Sequence, residues 1–144
     1  LTAVLLLAAG TIPAAQAATG GASPTDPVPP TASSSDGEGL AFTALRVAGA
    51  SWYGPGLYGN KTACGQTLRP NTVGVAHKKL PCGTVVKFIF HGHTLVTEVI
   101  DRGPYIRGRA WDLTTAASEA LDFKDVGVGR VRYGIAREYA RAQG

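Results

Sequence analysis

Val99-Ile100-Asp101-Arg102-Gly103-Pro104-Tyr105-Ile106-Arg107-Gly108-Arg109-Ala110-Trp111-Asp112-Leu113 is the stretch on which the reading of this chain turns. An apolar run ends abruptly in Asp101 and passes into a Gly-Pro turn. A second carboxylate, Asp112, then sits between Trp111 and Leu113. Burying a carboxylate is costly unless it is paired or used. Two acids set among apolar strand residues, with Arg102, Arg107 and Arg109 around them, therefore point to a site.

The sequence on either side reads as strands. Residues 85–90 and 94–101 are β-branched and aromatic runs separated by His91-Gly92-His93, the pattern of a hairpin. Strand residues two apart share a face. Thr97, Val99 and Asp101 are thus expected on one face, with Val96, Glu98 and Ile100 on the other. Glu98 then reads as a solvated charge, unpaired with Asp101. Residues 45–53 form a first strand, followed by a turn-rich loop with Gly54, Pro55, Gly56, Gly59 and Asn60. Residues 73–77 are a short apolar piece, and residues 128–135 a last strand. Thr114 is a good N-cap for a helix through Leu121, and a terminal helix is expected over 137–143. Many short strands with one or two short helices make a compact, mainly β barrel. Residues 81–87 and 126–132 are loosely alike, which hints at an internal two-fold repeat.

The barrel is expected over residues 40–144, a single domain. Residues 1–17 read as a secretory signal peptide. The run Val4-Leu5-Leu6-Leu7-Ala8-Ala9 is followed by Pro13 and by an Ala15-Gln16-Ala17 cleavage pattern, and it is too short for a membrane span. No Cys follows it, so no lipid anchor is expected after cleavage. Residues 18–39, rich in Pro, Ser, Thr and Gly, read as a disordered linker because they hold too little apolar surface to offset ordering. All 14 Lys and Arg fall in the barrel, against seven of the 10 acids, so it carries +7. A small, basic, exported domain suits a polyanion such as cell wall or nucleic acid, and such a surface also aids solubility. Two cysteines in an exported chain, Cys64 and Cys82, read as a disulfide. Zinc would need more ligands than these and His77, His91 and His93 offer, so no metal is expected.

Taken in order, Ser51-Trp52-Tyr53-Gly54, Thr62-Ala63-Cys64-Gly65-Gln66, Val75-Ala76-His77, Leu80-Pro81-Cys82-Gly83-Thr84, Asp101-Arg102-Gly103-Pro104-Tyr105 and Trp111-Asp112-Leu113-Thr114 resemble the rare lipoprotein A family. These are septal lytic transglycosylases built on a six-stranded double-psi β-barrel, a fold shared with expansins. The Cys pair resembles the variant of high-GC Gram-positive members. The resemblance implies an endolytic transglycosylase that cuts peptidoglycan glycan strands and leaves 1,6-anhydro-muramyl ends, secreted or wall-associated; a monomer is expected because small secreted barrels usually need no partner. It implies peptidoglycan rather than nucleic acid as partner, and no cofactor.

By that resemblance Asp101 is the first candidate for the proton donor and Asp112 the second. Each has a structural alternative, a turn cap for Asp101 and the orientation of the helix start for Asp112. His77 matches a family His near the cleft, or is a satisfied buried histidine. Trp52, Tyr53 and Tyr105 are candidates for sugar contact, with core packing as the alternative for Trp52. Arg102, Arg107 and Arg109 are candidates for substrate binding, the last two toward stem-peptide carboxylates. Gln66 stands where the family commonly has a catalytic-support Glu, and Gln cannot ionise. No peptidoglycan-binding module of the sporulation-related type follows the barrel within these residues. A non-cutting, expansin-like binder and a wall-associated protein–protein module are the rival readings.

Overall fold

The computed structural model of the protein describes residues 39–142. The expected signal peptide lies outside them, with all of the expected linker except Gly39, and so do Gln143 and Gly144. Six strands close a barrel: β1 (Arg46–Tyr53), β2 (Val75–His77), β3 (Val85–Phe90), β4 (His93–Asp101), β5 (Trp111–Thr114) and β6 (Val128–Ile135). Their order around the barrel is β1-β5-β2-β4-β3-β6. Helix α1 (Thr115–Ala120), a turn of 3-10 helix (Lys124–Val126) and helix α2 (Arg137–Arg141) complete it.

The strand order has two-fold character. Exchanging β1, β2 and β3 with β4, β5 and β6 returns the same neighbours. β1 pairs β5 in parallel, as β4 pairs β2, and the remaining pairs are antiparallel. This is the double-psi arrangement. The two loosely similar stretches in the sequence lead into β3 and β6, which this exchange maps onto each other.

Period-2 alternation fills the interior. β3 buries Val86, Phe88 and Phe90, and β5 buries Trp111 and Leu113. Trp111 makes edge contacts with Phe88 and Tyr133 at 5.0 and 5.1 Å between ring centroids. Each such side chain contributes ~1.5–3 kcal/mol by leaving water. The β3–β4 connection is a tighter turn than the sequence implied. His91 and Gly92 both take positive φ (44° and 86°), as a two-residue type I′ turn requires, so β4 starts at His93. Strand β5 is not delimited by the sequence reading, which gives bounds for five strands only. Thr114 caps α1 as expected, its Oγ1 accepting the Ala117 N–H at 3.2 Å.

Cys64 and Cys82 are bonded, with 5.7 Å between their Cα atoms. The bond ties the long β1–β2 loop to the β2–β3 turn, and the chain-entropy estimate for a loop of this size is ~3 kcal/mol.

Candidate active site

One row of residues crosses four adjacent strands on the outer face of the barrel. Ser51 is opposite Asp112, Asp112 opposite Ala76, and Ala76 opposite Asp101. Strands lie ~4.8 Å apart, so the two aspartates are carried on backbones roughly 10 Å apart with one small residue between them. Ala76 is 3% exposed and adds only a methyl group to the floor. Asp101, Asp112, Ala76 and Tyr53 line a single cleft of about 280 Å³. Its rim includes Leu57, Tyr105 and Ile106, which are 46%, 76% and 52% exposed.

Asp101 reaches this face through a β-bulge. Val75 pairs Val99, but the next residue of β2, Ala76, pairs Asp101, so Ile100 is the extra residue. Val99 faces the core and Asp101 faces the cleft. The expectation that they share a face is therefore corrected, because a bulge breaks the two-residue period. Gly74 leaves room for the side chain of the bulged residue, since a Cβ there would sit 2.4 Å from Ile100 Cδ1. The bulge carbonyl is not orphaned, for the Cys64 N–H donates to Ile100 O at 3.1 Å. The disulfide thus holds the segment that also supplies a donor to Asp101.

The two carboxylates have different settings. Asp101 accepts on both oxygens, from the N–H groups of Ala63 (2.8 Å) and Arg102 (2.9 Å) at Oδ1 and from the Tyr53 hydroxyl (3.1 Å) at Oδ2. Burial and the nearby Asp101 charge push the Tyr53 hydroxyl far above its usual range, so it stays a neutral donor. Asp112 accepts one hydrogen bond, from Ser51 Oγ at 2.8 Å to Oδ1. Burial pushes its carboxyl above the usual carboxylate range. The Ser51 hydrogen bond and the Arg109 charge oppose that shift, and the Asp101 charge adds to it.

The other expected residues are distributed as follows. Tyr105 and Arg102 line the cleft. Arg102 does not turn to a carboxylate: its guanidinium donates to the Asp101 carbonyl (3.3 Å) and contacts Cys82 Sγ (3.5 Å). Trp52 is not in the cleft. Consecutive strand residues face opposite sides, so Tyr53 takes the cleft side while Trp52 packs on the core and donates its indole N–H to Lys124 O at 3.0 Å. His77 follows Ala76 and turns away from the acids, packing on Trp111 at 4.5 Å and lining a neighbouring cavity. Arg109 lines that cavity too, while Arg107 is exposed and lines neither. Gln66 is exposed outside the cleft, where its Oε1 accepts from Thr62 Oγ1 at 2.9 Å. Sequence reasoning missed Ser51 and Ala76 as parts of the site, and only strand register reveals them.

The lytic transglycolase family profile matches residues 46–133. The chain belongs to the lytic transglycolase family. Among curated lytic transglycolase relatives, the "Probable endolytic peptidoglycan transglycosylase RlpA" of Synechocystis is 41% identical over 99 residues, 66% of this chain and 31% of its own length. The "Endolytic peptidoglycan transglycosylase RlpA" of Campylobacter jejuni is 39% identical over 85 residues, 58% of this chain and 31% of its own. The chain thus spans about a third of the length of these relatives. Among solved structures, the Streptomyces papain inhibitor is 22% identical with a TM-score of 0.53, covering 67% of this chain and 98% of that one. The Clavibacter michiganensis expansin is 23% identical with a TM-score of 0.51, covering 65% and 50%. These two share the lytic transglycolase barrel as a fold.

Proposed function

We propose that the protein is an endolytic peptidoglycan transglycosylase that cleaves between N-acetylmuramic acid and N-acetylglucosamine and leaves a 1,6-anhydro end. The observation that carries this reading is the unlike pair in one cleft: a partly buried carboxyl that accepts one hydrogen bond, from Ser51, and whose pKa burial raises, beside a second carboxyl that accepts three. Family membership and the activity for which the relatives are named support it.

The chemistry follows from the two settings. Asp112 protonates the leaving glycosidic oxygen as its bond to C1 breaks. The C6 hydroxyl of the same muramyl residue forms the new bond to C1, and its proton returns to the Asp112 carboxylate. No water is consumed, and tethering of the nucleophile replaces a water-activating base. Asp101, whose oxygens accept three hydrogen bonds, faces the positive charge that develops at C1. This assignment exchanges the roles expected from sequence, where Asp101 was the first candidate for the donor. Tyr53 positions Asp101, and the exposed rim of Leu57, Tyr105 and Ile106 packs on sugar faces. Gln66 acts only through Thr62 and His77 only through the neighbouring cavity, so the absence of the family Glu leaves both cleft acids in place. The chain works as a monomer outside the cytoplasm, exported by residues 1–17, with residues 18–39 as a linker.

Digestion of purified peptidoglycan followed by mass spectrometry tests this. Products with 1,6-anhydro-muramyl ends are expected. Ordinary reducing ends would mean hydrolysis. Binding to wall without any cleavage would favour the expansin-like binder.

A further inference from the structure

The Cys64–Cys82 bond joins two segments that both grip β4 at its bulge. The Gly83 N–H donates to Val99 O at 2.8 Å, the Cys64 N–H to Ile100 O at 3.1 Å, and the Ala63 N–H to Asp101 Oδ1 at 2.8 Å. Consecutive residues of β4 are thus held by groups within one residue of a disulfide cysteine. The bond clamps the segment that delivers Asp101 to the cleft.

The two sides of the clamp differ. On the Cys82 side the Val99 N–H also donates to Thr84 O at 2.9 Å, so this side continues the β3–β4 ladder. On the Cys64 side the turn closes on itself. Its Thr62 N–H donates to Gln66 O (2.8 Å), its Gly65 N–H donates to Thr62 O (3.0 Å), and Lys61 bridges Thr67. Among the described residues, its backbone N–H groups reach β4 only through Ala63 and Cys64. The disulfide is the covalent tie between this self-closed turn and the ladder.

The bond is also accessible, since Cys82 is exposed and Cys64 half-buried. Arg102 Nη2 lies 3.5 Å from Cys82 Sγ, so a positive charge stands beside the exposed sulfur and favours a thiolate there. The backbone N–H of the same arginine donates to Asp101 Oδ1. Neither cysteine belongs to the core, and the six strands close the barrel without them.

We propose that Cys64–Cys82 is a redox-sensitive positioning element, which completes the setting of Asp101 when oxidised and releases it when a dithiol reductant opens the bond. The proposal rests on the reading of the cleft as a transglycosylase site. A thiolate of the reductant attacks Cys82 Sγ, the S–S bond breaks, and Cys64 leaves as a thiolate. The second thiol of the reductant then displaces Cys82 from the mixed disulfide. The dithiol gives up two electrons and becomes a disulfide, and the cysteines take up the protons it loses. With the tie gone, the turn over residues 61–67 moves off β4. It takes the Ala63 donor from Asp101 and the Cys64 donor from the bulge carbonyl, while the Tyr53 donor stays. Full activity is then confined to compartments where disulfides persist.

Amide hydrogen exchange of the full chain, followed by NMR with and without dithiothreitol, tests the clamp without turnover. Reduction is expected to speed exchange at Ala63 and Cys64 roughly tenfold, as two N–H groups lose their acceptors. Ala110 and Ala136, whose N–H groups donate to Gly49 O and Val85 O, are expected to keep their protection. On peptidoglycan, reduction is expected to lower kcat about tenfold with KM little changed, the scale of one lost hydrogen bond, and reoxidation to restore it. Cys64→Ser/Cys82→Ser is expected to match the reduced protein in both readouts and to ignore the reductant. Unchanged exchange at Ala63 and Cys64 overturns the clamp. Loss of protection throughout the barrel also overturns it, because the bond is then a staple of the whole fold. Faster local exchange with full activity overturns the link to Asp101. Absence of cleavage by the oxidised protein, with the local exchange response intact, instead removes the transglycosylase reading and with it the coupling to cleavage.

Discussion

The two halves of the barrel follow one path and end in different chemistry. Across the row on the outer face, Ser51 on β1 corresponds to Asp101 on β4, and Asp112 on β5 corresponds to Ala76 on β2. In the regular half a hydroxyl sits next to a carboxyl and donates to it. In the other half an inserted residue, Ile100, swings a carboxylate onto the same face beside a methyl group. The fold alone is nearly symmetric, and the site is not. A bulge and a few side chains turn a repeated scaffold into a cleft holding one carboxyl whose pKa burial raises and one that accepts three hydrogen bonds.

The largest effect should come from removing the acid of the regular half. Asp112→Asn is expected to lower the rate of 1,6-anhydro product formation by ~10²–10⁴-fold, the usual contribution of a positioned acid. The same change should stabilise the fold at neutral pH. A carboxyl whose folded pKa is raised contributes stability that is full below the ordinary carboxyl range and is lost as pH rises through the folded value. The Tm advantage of the Asn variant should therefore open above that range and close in acid, as followed by thermal unfolding across pH. A variant that is inactive and equally destabilised at every pH would break the contrast between the halves.

Next in size is the bulge. Gly74→Ala places a Cβ against Ile100 and is expected to cost about 1–3 kcal/mol in denaturant unfolding, with loss of activity as Asp101 is displaced. Normal activity with unchanged stability would mean that the bulge does not aim Asp101. Tyr53→Phe removes one donor from Asp101 while keeping the ring, and about a tenfold fall in kcat is expected. Ser51→Ala should have the smallest effect. It removes a hydrogen bond that holds the Asp112 carboxyl down, so the alkaline limb of the pH–rate profile should move to higher pH with only a few-fold change in rate. A shift to lower pH would contradict the role given to Ser51.

The parts of this comparison legible in the sequence are those with strong local signals. The hairpin of β3 and β4 is marked by β-branched and aromatic residues, and Thr114 by its capping chemistry. The family motifs lead to Asp101 and Asp112. What escaped depends on register between distant segments. Strand β5 is four residues long with an acid in its middle, so neither length nor alternation announces it. The side chain of the bulged Ile100 occupies the space that a Cβ at Gly74 would take, and the sequence shows that glycine only as a member of the short apolar piece 73–77. Ser51 and Ala76 carry no chemical signal of their own, and they matter because pairing puts them in line with two acids. Trp52 and His77 show the reverse. Their chemistry suits sugar or carboxylate, but strand alternation turns each of them away from the cleft.

The assignment of the donor is tested most directly with a muramyl substrate whose leaving group departs without protonation, compared with a natural glycan strand. The account predicts that Asp112→Asn fails on the glycan yet releases the activated leaving group at close to the parental rate, while Asp101→Asn fails on both. Recovery of Asp101→Asn on the activated substrate, with Asp112→Asn inactive on both, would contradict it and return the proton to Asp101.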